Sequence, residues 1–219
     1  MGRPSQPLLS RAIIARAALE LLNEEGPDAL KMRSLADRLG VRGASLYHHV
    51  ASKEDLLDAA SELLNDEIDL GPLQDPEWRR GVAEYARGYR RVYLRHPHMI
   101  ALVARRRVEA DRALLGYDAL LGALVRAGCT PAGAAEAAAA LDYLVLGSAL
   151  ETFTAGFTRA PDDYRPDYPA LADSLASTAD RPGGLAGLDD RGFELALRLL
   201  LDGLAAGPGA SAQAAPPGP

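Results

Sequence analysis

Residues 33–50 read RSLADRLGVRGASLYHHV, and the fold turns on how this stretch is punctuated. Leu35, Ala36 and Leu39 recur at the three- and four-residue spacing of one helix face, which predicts a short helix over about residues 32–39. Gly40 follows as the residue that tolerates a left-handed backbone, so the chain turns there. Val41 and Leu46 bury the inner side of a second short helix, Gly43 to Val50, and Ala36 is small enough to let the two approach closely. Two short helices joined by a tight glycine turn make a helix-turn-helix unit; a generic helical hairpin has the same periodicity.

Working outward, every flanking segment is also helical in period. Ser10 caps a helix with Ile13, Ile14, Ala17, Ala18, Leu21 and Leu22 on one face, and Gly26-Pro27 ends it. Ser52 and Asp55 form a capping box that opens a long helix carrying Leu56, Leu57, Ala60, Leu63, Leu64 and Ile68 inward, closed by Gly71-Pro72. Asp75-Pro76 is a start signal for the next, with Trp78, Val82, Tyr85, Ala86, Tyr89, Val92 and Tyr93 on its face, broken at His96-Pro97. A short segment over about 98–106 and a helix over about 109–127 follow. Thr130-Pro131 opens an alanine-rich helix to about Gly156. Residues 157–168 read as loop, 169–177 as a short helix, 178–188 as a Gly/Pro linker and 189–205 as a final leucine-bearing helix. No stretch alternates as a strand does, so the fold class is all-α. The organisation expected is a flexible arm (1–9), a three-helix helix-turn-helix domain (10–55), a larger ligand-binding and dimerisation domain (56–206) and a disordered tail (207–219).

Composition narrows the function. The chain has 219 residues, 25% of them charged, with a net charge of −6, which suits a globular protein with a sizeable core. The charge is uneven: residues 1–55 carry +1 and the remainder −7, so an anionic partner is expected at the N-terminal quarter. One cysteine, Cys129, and four histidines leave no disulfide framework and no Cys/His zinc site within the chain, and a reducing, cytoplasmic setting fits. No metal and no cofactor are expected. Residues 1–7 carry no apolar run and no segment approaches an uninterrupted apolar span, so no membrane association is expected. No nucleophile elbow, phosphate-binding glycine loop or metal-ligand spacing supports an enzyme. A helical scaffold protein remains the rival, although it has no need of a polar, basic second helix.

That second helix offers Arg42, Gly43, Ala44, Ser45, Tyr47, His48 and His49 to a DNA major groove, which is wide enough for one α-helix. The string ALELLNEEG…ALKMRSLADRLGVRGASLYHHVASKEDLLDA, with its LGV turn, LYHHV helix and following lysine, resembles the DNA-binding domain of TetR-family transcriptional repressors, its tetracycline-repressor branch above all. The resemblance is strong over about a quarter of the chain; farther on, Leu146-Gly147 to Leu150-Glu151 echoes that branch's dimer-forming helix. It implies that Arg33 reads a guanine, that Ser45, Tyr47 and His49 contact backbone or thymine methyl, and that Lys53 meets a phosphate. Gly43 and Ala44 stand where the branch has glutamine and proline, and Met32 where it has a phosphate-binding threonine, so a different operator sequence is implied. The bland alternatives are a core role for Tyr47 and solvated charges at Arg33 and Arg42.

In the remainder, Tyr85, Tyr89, Met99, Leu102, Val103, Tyr117, Leu120, Tyr143 and Phe153 can enclose an apolar cavity with phenol hydroxyls, suited to a small apolar or aromatic effector; simple core packing is the alternative for each. Arg106, within Arg105-Arg106-Arg107, is a candidate for an acidic ligand or a solvated charge. The resemblance aligns Val103 with a magnesium-holding histidine and Leu120 with a ligand-binding glutamine, which argues against magnesium–tetracycline. It also implies a homodimeric repressor, joined through residues near 130–156 and 189–205, that binds double-stranded, palindromic operator DNA and is released by the effector; a transcriptional activator of the same family is the alternative.

Overall fold

The computed structural model describes residues 9–103, 110–150 and 153–207. The arm and tail expected at the two ends, apart from Leu9 and Gly207, and Arg106 lie outside these, as does the side chain of Val103. Among the described residues there are eleven α-helices and no strand.

The first four helices are α1 (Arg11–Glu25), α2 (Met32–Leu39), α3 (Gly43–Tyr47) and α4 (Lys53–Glu67). Ser10 caps α1 as read, its Oγ accepting from Ile13 N at 3.3 Å. Gly40 sits at φ 66°, ψ 30°, the left-handed corner that turns α2 into α3. Val41 N returns to Ala36 O at 3.0 Å, closing the turn. Helix α3 is shorter than the periodicity predicts. Val50 N and His49 N both return to Leu46 O at 2.9 Å, which tightens the last turn and leaves His48 and His49 on a bend beyond the helix. Ser52 Oγ accepts from Asp55 N at 3.1 Å, and Asp55 Oδ2 reaches back to Ala51 N at 2.8 Å, a capping box displaced by one residue.

The body follows: α5 (Trp78–Arg95), α6 (Pro97–Val103), α7 (Asp111–Arg126), α8 (Pro131–Leu150), α9 (Pro161–Tyr164), α10 (Pro169–Ala179) and α11 (Leu188–Ala206). Helix α4 ends at Glu67, and Gly71–Gln74 form a separate 3-10 turn. Helix α5 starts later than Asp75-Pro76 suggested. Asp75 spends its carboxylate on Glu77 N at 2.8 Å and on Arg80, so Glu77 takes over as cap, accepting from Arg80 N at 2.8 Å. The described part of α8 stops at Leu150, and Thr154–Gly156 form a 3-10 turn held by Asp189 through Phe153 N (2.8 Å) and Thr154 Oγ1 (2.5 Å). Residues 157–168, read as loop, include α9; Tyr164, Ala172 and Leu175 make a small core of their own with Phe157 and Leu185.

One apolar cluster runs from Ile14 in α1 to Leu201 in α11, so the core is continuous across the expected domain boundary. Helix α4 makes this possible by packing on α1 and on α6 and α7. Among the described residues, Arg90 is the buried cation of the body. It donates to Asp190 at 2.7 Å and Ser148 at 3.1 Å and lies 4.6 Å over the Phe193 ring, joining α5, α8 and α11. The helix starting at Pro131 is long and apolar enough by composition to cross a bilayer, without being the uninterrupted apolar run of a membrane span. It carries Glu136 and Asp142 and packs against α5, α7 and α11.

Two glycines separate backbone strain from overlap. A Cβ at Gly40 would meet nothing within 4 Å, so Gly40→Ala costs only the left-handed conformation, about 1 kcal/mol. At Gly81 a Cβ would overlap the Pro72 carbonyl oxygen of the 3-10 turn. Gly81→Ala is therefore expected to cost more, about 2–3 kcal/mol, and urea midpoints for the two variants test the order.

Candidate functional site

Two regions gather the residues singled out above. In the first, Arg42, Ala44, Tyr47, His48 and His49 are exposed along α3 and the bend after it, with Gly43 and Ser45 half-buried. Arg33 lies in the first turn of α2 and Lys53 in that of α4, both exposed. Tyr47 keeps 54% of its surface, which removes the core reading for it. Leu46 and Val50, fully buried, fix the opposite side, so the sequence alternates between core anchors and an outward polar surface.

The ion pairs sort the arginines. Arg38 is clamped to α1, donating to Glu24 at 2.7 and 2.8 Å and to Glu20 at 3.4 Å, and these bonds raise its pKa and lower that of Glu24. Arg11 joins α1 to α4, donating to Asp55 at 2.7 Å and Glu62 at 2.6 Å; together with Ala51 N it holds the Asp55 carboxyl below the usual range. Arg33, Arg42 and Lys53 have no carboxylate partner among the described residues. The local cations therefore divide into Arg11 and Arg38, which brace the helices, and a set that includes Arg33, Arg42 and Lys53, whose charge stays available to a partner.

The second region is a cavity of about 1040 Å³ among α1, α4, α5, α7 and α8. Of the residues expected there, Tyr85, Tyr89, Tyr117, Leu120 and Tyr143 line it. Met99 does not: it is fully buried in the core, and Leu102 packs beside the same core. Phe153 is 61% exposed and meets Phe157 edge-on, ring centroids 5.0 Å apart. Helical spacing identified these as apolar but carried no information on which neighbour each faces. The cavity also has residues that the sequence reading passed over: Tyr93, one turn beyond Tyr89 on the same stripe, Asp142 in the alanine-rich helix, and Arg11 and Glu62 at its edge.

Its polar chemistry centres on Asp142. Tyr89 donates its hydroxyl to Asp142 Oδ1 at 2.7 Å. Burial pushes the Asp142 carboxyl upward, partly offset by that hydrogen bond. Burial and then the neighbouring carboxylate raise the phenols of Tyr85 and Tyr89 and bring Tyr93 to about 12, so all three stay protonated donors at neutral pH. Among the described residues no group of three or more His, Cys, Asp and Glu is placed to hold a metal ion.

Comparison with known proteins decides the relationship. Residues 14–60 match the family model described as bacterial regulatory proteins, tetR family, and residues 71–207 match the tetracyclin repressor-like C-terminal domain. The chain belongs to the TetR family of bacterial transcriptional regulators. Among its relatives, an HTH-type transcriptional regulator from Saccharopolyspora erythraea is 36% identical over 77% of this chain and 75% of its own length. The class A tetracycline repressor of transposon 1721 from Escherichia coli is 33% identical over 88% of each chain. Apo ActR from Streptomyces coelicolor superposes with a TM-score of 0.76 at 27% identity, covering 95% of this chain and 100% of that one, and ActR has also been solved with actinorhodin. TetR-family regulators bind DNA, and the match to both family models places this chain among them.

The division of arginines gives a direct test. Arg38→Ala is expected to lower the thermal melting temperature by breaking the α1–α2 clamp, while Arg33→Ala leaves it within error; an equal loss for both would mean that Arg33 has a structural partner.

Proposed function

We propose that this TetR-family regulator is a homodimeric repressor that binds a palindromic operator through α3 and leaves it when a small apolar or aromatic effector enters the cavity. The unpaired, exposed set Arg33, Arg42 and Lys53 around the α3 surface carries the DNA half of the reading, because a helix offered to a groove needs cations not already spent on its own carboxylates. Within it, Arg33 suits a bidentate guanine contact, Gly43 and Ala44 allow close backbone approach, Ser45, Tyr47, His48 and His49 supply edge or backbone contacts, and Lys53 a phosphate contact. Dimerisation is supported by Leu150 on α8 and by Leu195 and Leu199 on α11, each about half or more exposed on two helices that pack side by side. Apolar side chains left uncovered on adjacent helices suit a four-helix seam between two copies.

The cavity lies against α4, whose other side packs on α1. A ligand that prefers one placement of α4 would move the head carrying α3 and change the spacing of the two recognition helices, which is set by one DNA turn, roughly 34 Å.

Genome-wide capture of bound DNA followed by gel shift of the recovered site checks the proposal. Wild-type protein is expected to retard a palindromic site, and Arg33→Ala with Tyr47→Phe to weaken it roughly tenfold or more, within the range of a lost base contact. A site without two-fold symmetry, or equal binding by the variant, would contradict the assignment.

A further inference from the structure

Asp142 is out of keeping with its surroundings. It sits half-buried in the apolar, alanine-rich α8, and its described polar partner is the Tyr89 hydroxyl. No basic side chain pairs with it among the described residues, whereas Glu62 at the cavity edge is matched by Arg11 at 2.6 Å. The cations that line the same cavity are committed elsewhere: Arg11 to Asp55 and Glu62, and Arg112 to the Ile68 carbonyl at 3.2 Å and Asp66 at 3.6 Å. Withdrawing a carboxylate from water is costly unless a cation joins it, and the upward push on its pKa records that cost.

The rings around it point to what would join it. Tyr85, Tyr89 and Tyr93 recur every four residues on α5, with ring centroids 5.9 and 5.3 Å apart, and Tyr117 adds a fourth phenol from α7. Electron-rich rings next to a carboxylate attract an organic cation by its charge and its apolar surface together. The rest of the wall, including Leu120, Leu141 and Leu146, suits a hydrophobic frame.

We propose that the cavity selects lipophilic organic cations, an aromatic frame carrying a charged amine, with the amine seated on Asp142 among the phenol rings. This rests on the reading of the cavity as the effector site and names the class of effector.

Three dyes of similar size distinguish the possibilities by fluorescence anisotropy on the full chain: rhodamine 6G (cationic), Nile red (neutral) and fluorescein (anionic). Rhodamine 6G is expected to bind at least about tenfold more tightly than the other two, to lose about thirtyfold or more in Asp142→Asn, and to be unaffected by Asp163→Asn on the far surface. Gly116→Phe, which places a ring in the cavity, is expected to abolish the binding. The preference among dyes is read on wild-type protein, so it stands even if a variant misfolds. Equal binding of the three, blocked by Gly116→Phe, or an unchanged rhodamine 6G affinity in Asp142→Asn, would overturn the cation assignment while leaving the cavity as a ligand site. No Gly116→Phe-sensitive binding of any dye would overturn both readings.

Discussion

The molecule depends on α4 being buried on two sides at once. Leu56, Leu57, Ala60 and Leu64 are all in the core, and the helix packs on α1 in the head as well as α6 and α7 in the body. A surface helix with one apolar stripe would let the head hinge freely; one held on both sides makes the orientation of α3 a property of the body. The polar ties reinforce this. Arg11 links α1 to α4 through Asp55 and Glu62, Asn23 on α1 meets His96 at the α5–α6 corner at 2.9 Å, and Arg11 and Glu62 also edge the cavity. The groups that fix the head and the groups that line the cavity thus overlap on one helix.

Charge placement follows the same division of labour. Arg38 and Arg11 hold helices together, Arg90 joins three helices of the body, and Arg33, Arg42 and Lys53 are left unspent where α3 faces outward. The nearly neutral N-terminal quarter hides this in part, because three of its seven acidic residues, Glu20, Glu24 and Asp55, are taken up by bracing arginines. Net charge understates the positive surface available to an anion, and only pairing reveals it.

Much of the architecture was legible because its signals are local. Ser10, Gly40 and Ser52 act on backbone groups within a few residues, and each sits where the reading placed it. The same locality explains the misreadings. Asp75 has the sequence of a helix cap, but its carboxylate is claimed by Arg80 and Glu77 N, and a competing donor five residues away is invisible to a capping rule. His48 and His49 continue the pattern of α3, yet the backbone tightens onto Leu46. Within the body, period alone separates buried from exposed but not core from cavity, so Met99 and Tyr89 looked alike. Asp142 was passed over because an isolated acid on a helix is ordinarily solvated, and its burial comes from α5 and α7, distant in sequence.

The claim that α4 holds the recognition helices at a fixed separation in a pair of copies is open to one measurement. With Cys129→Ser removing the native thiol and a nitroxide at Ala44→Cys, electron–electron double resonance on the DNA-free protein reads the distance between the two α3 helices. The account predicts a single narrow distribution centred roughly one DNA turn apart, about 34 Å, offset by the reach of the labels. An absence of dipolar modulation, or a broad distribution, would contradict it, the first by leaving the chain single and the second by freeing the head from the body.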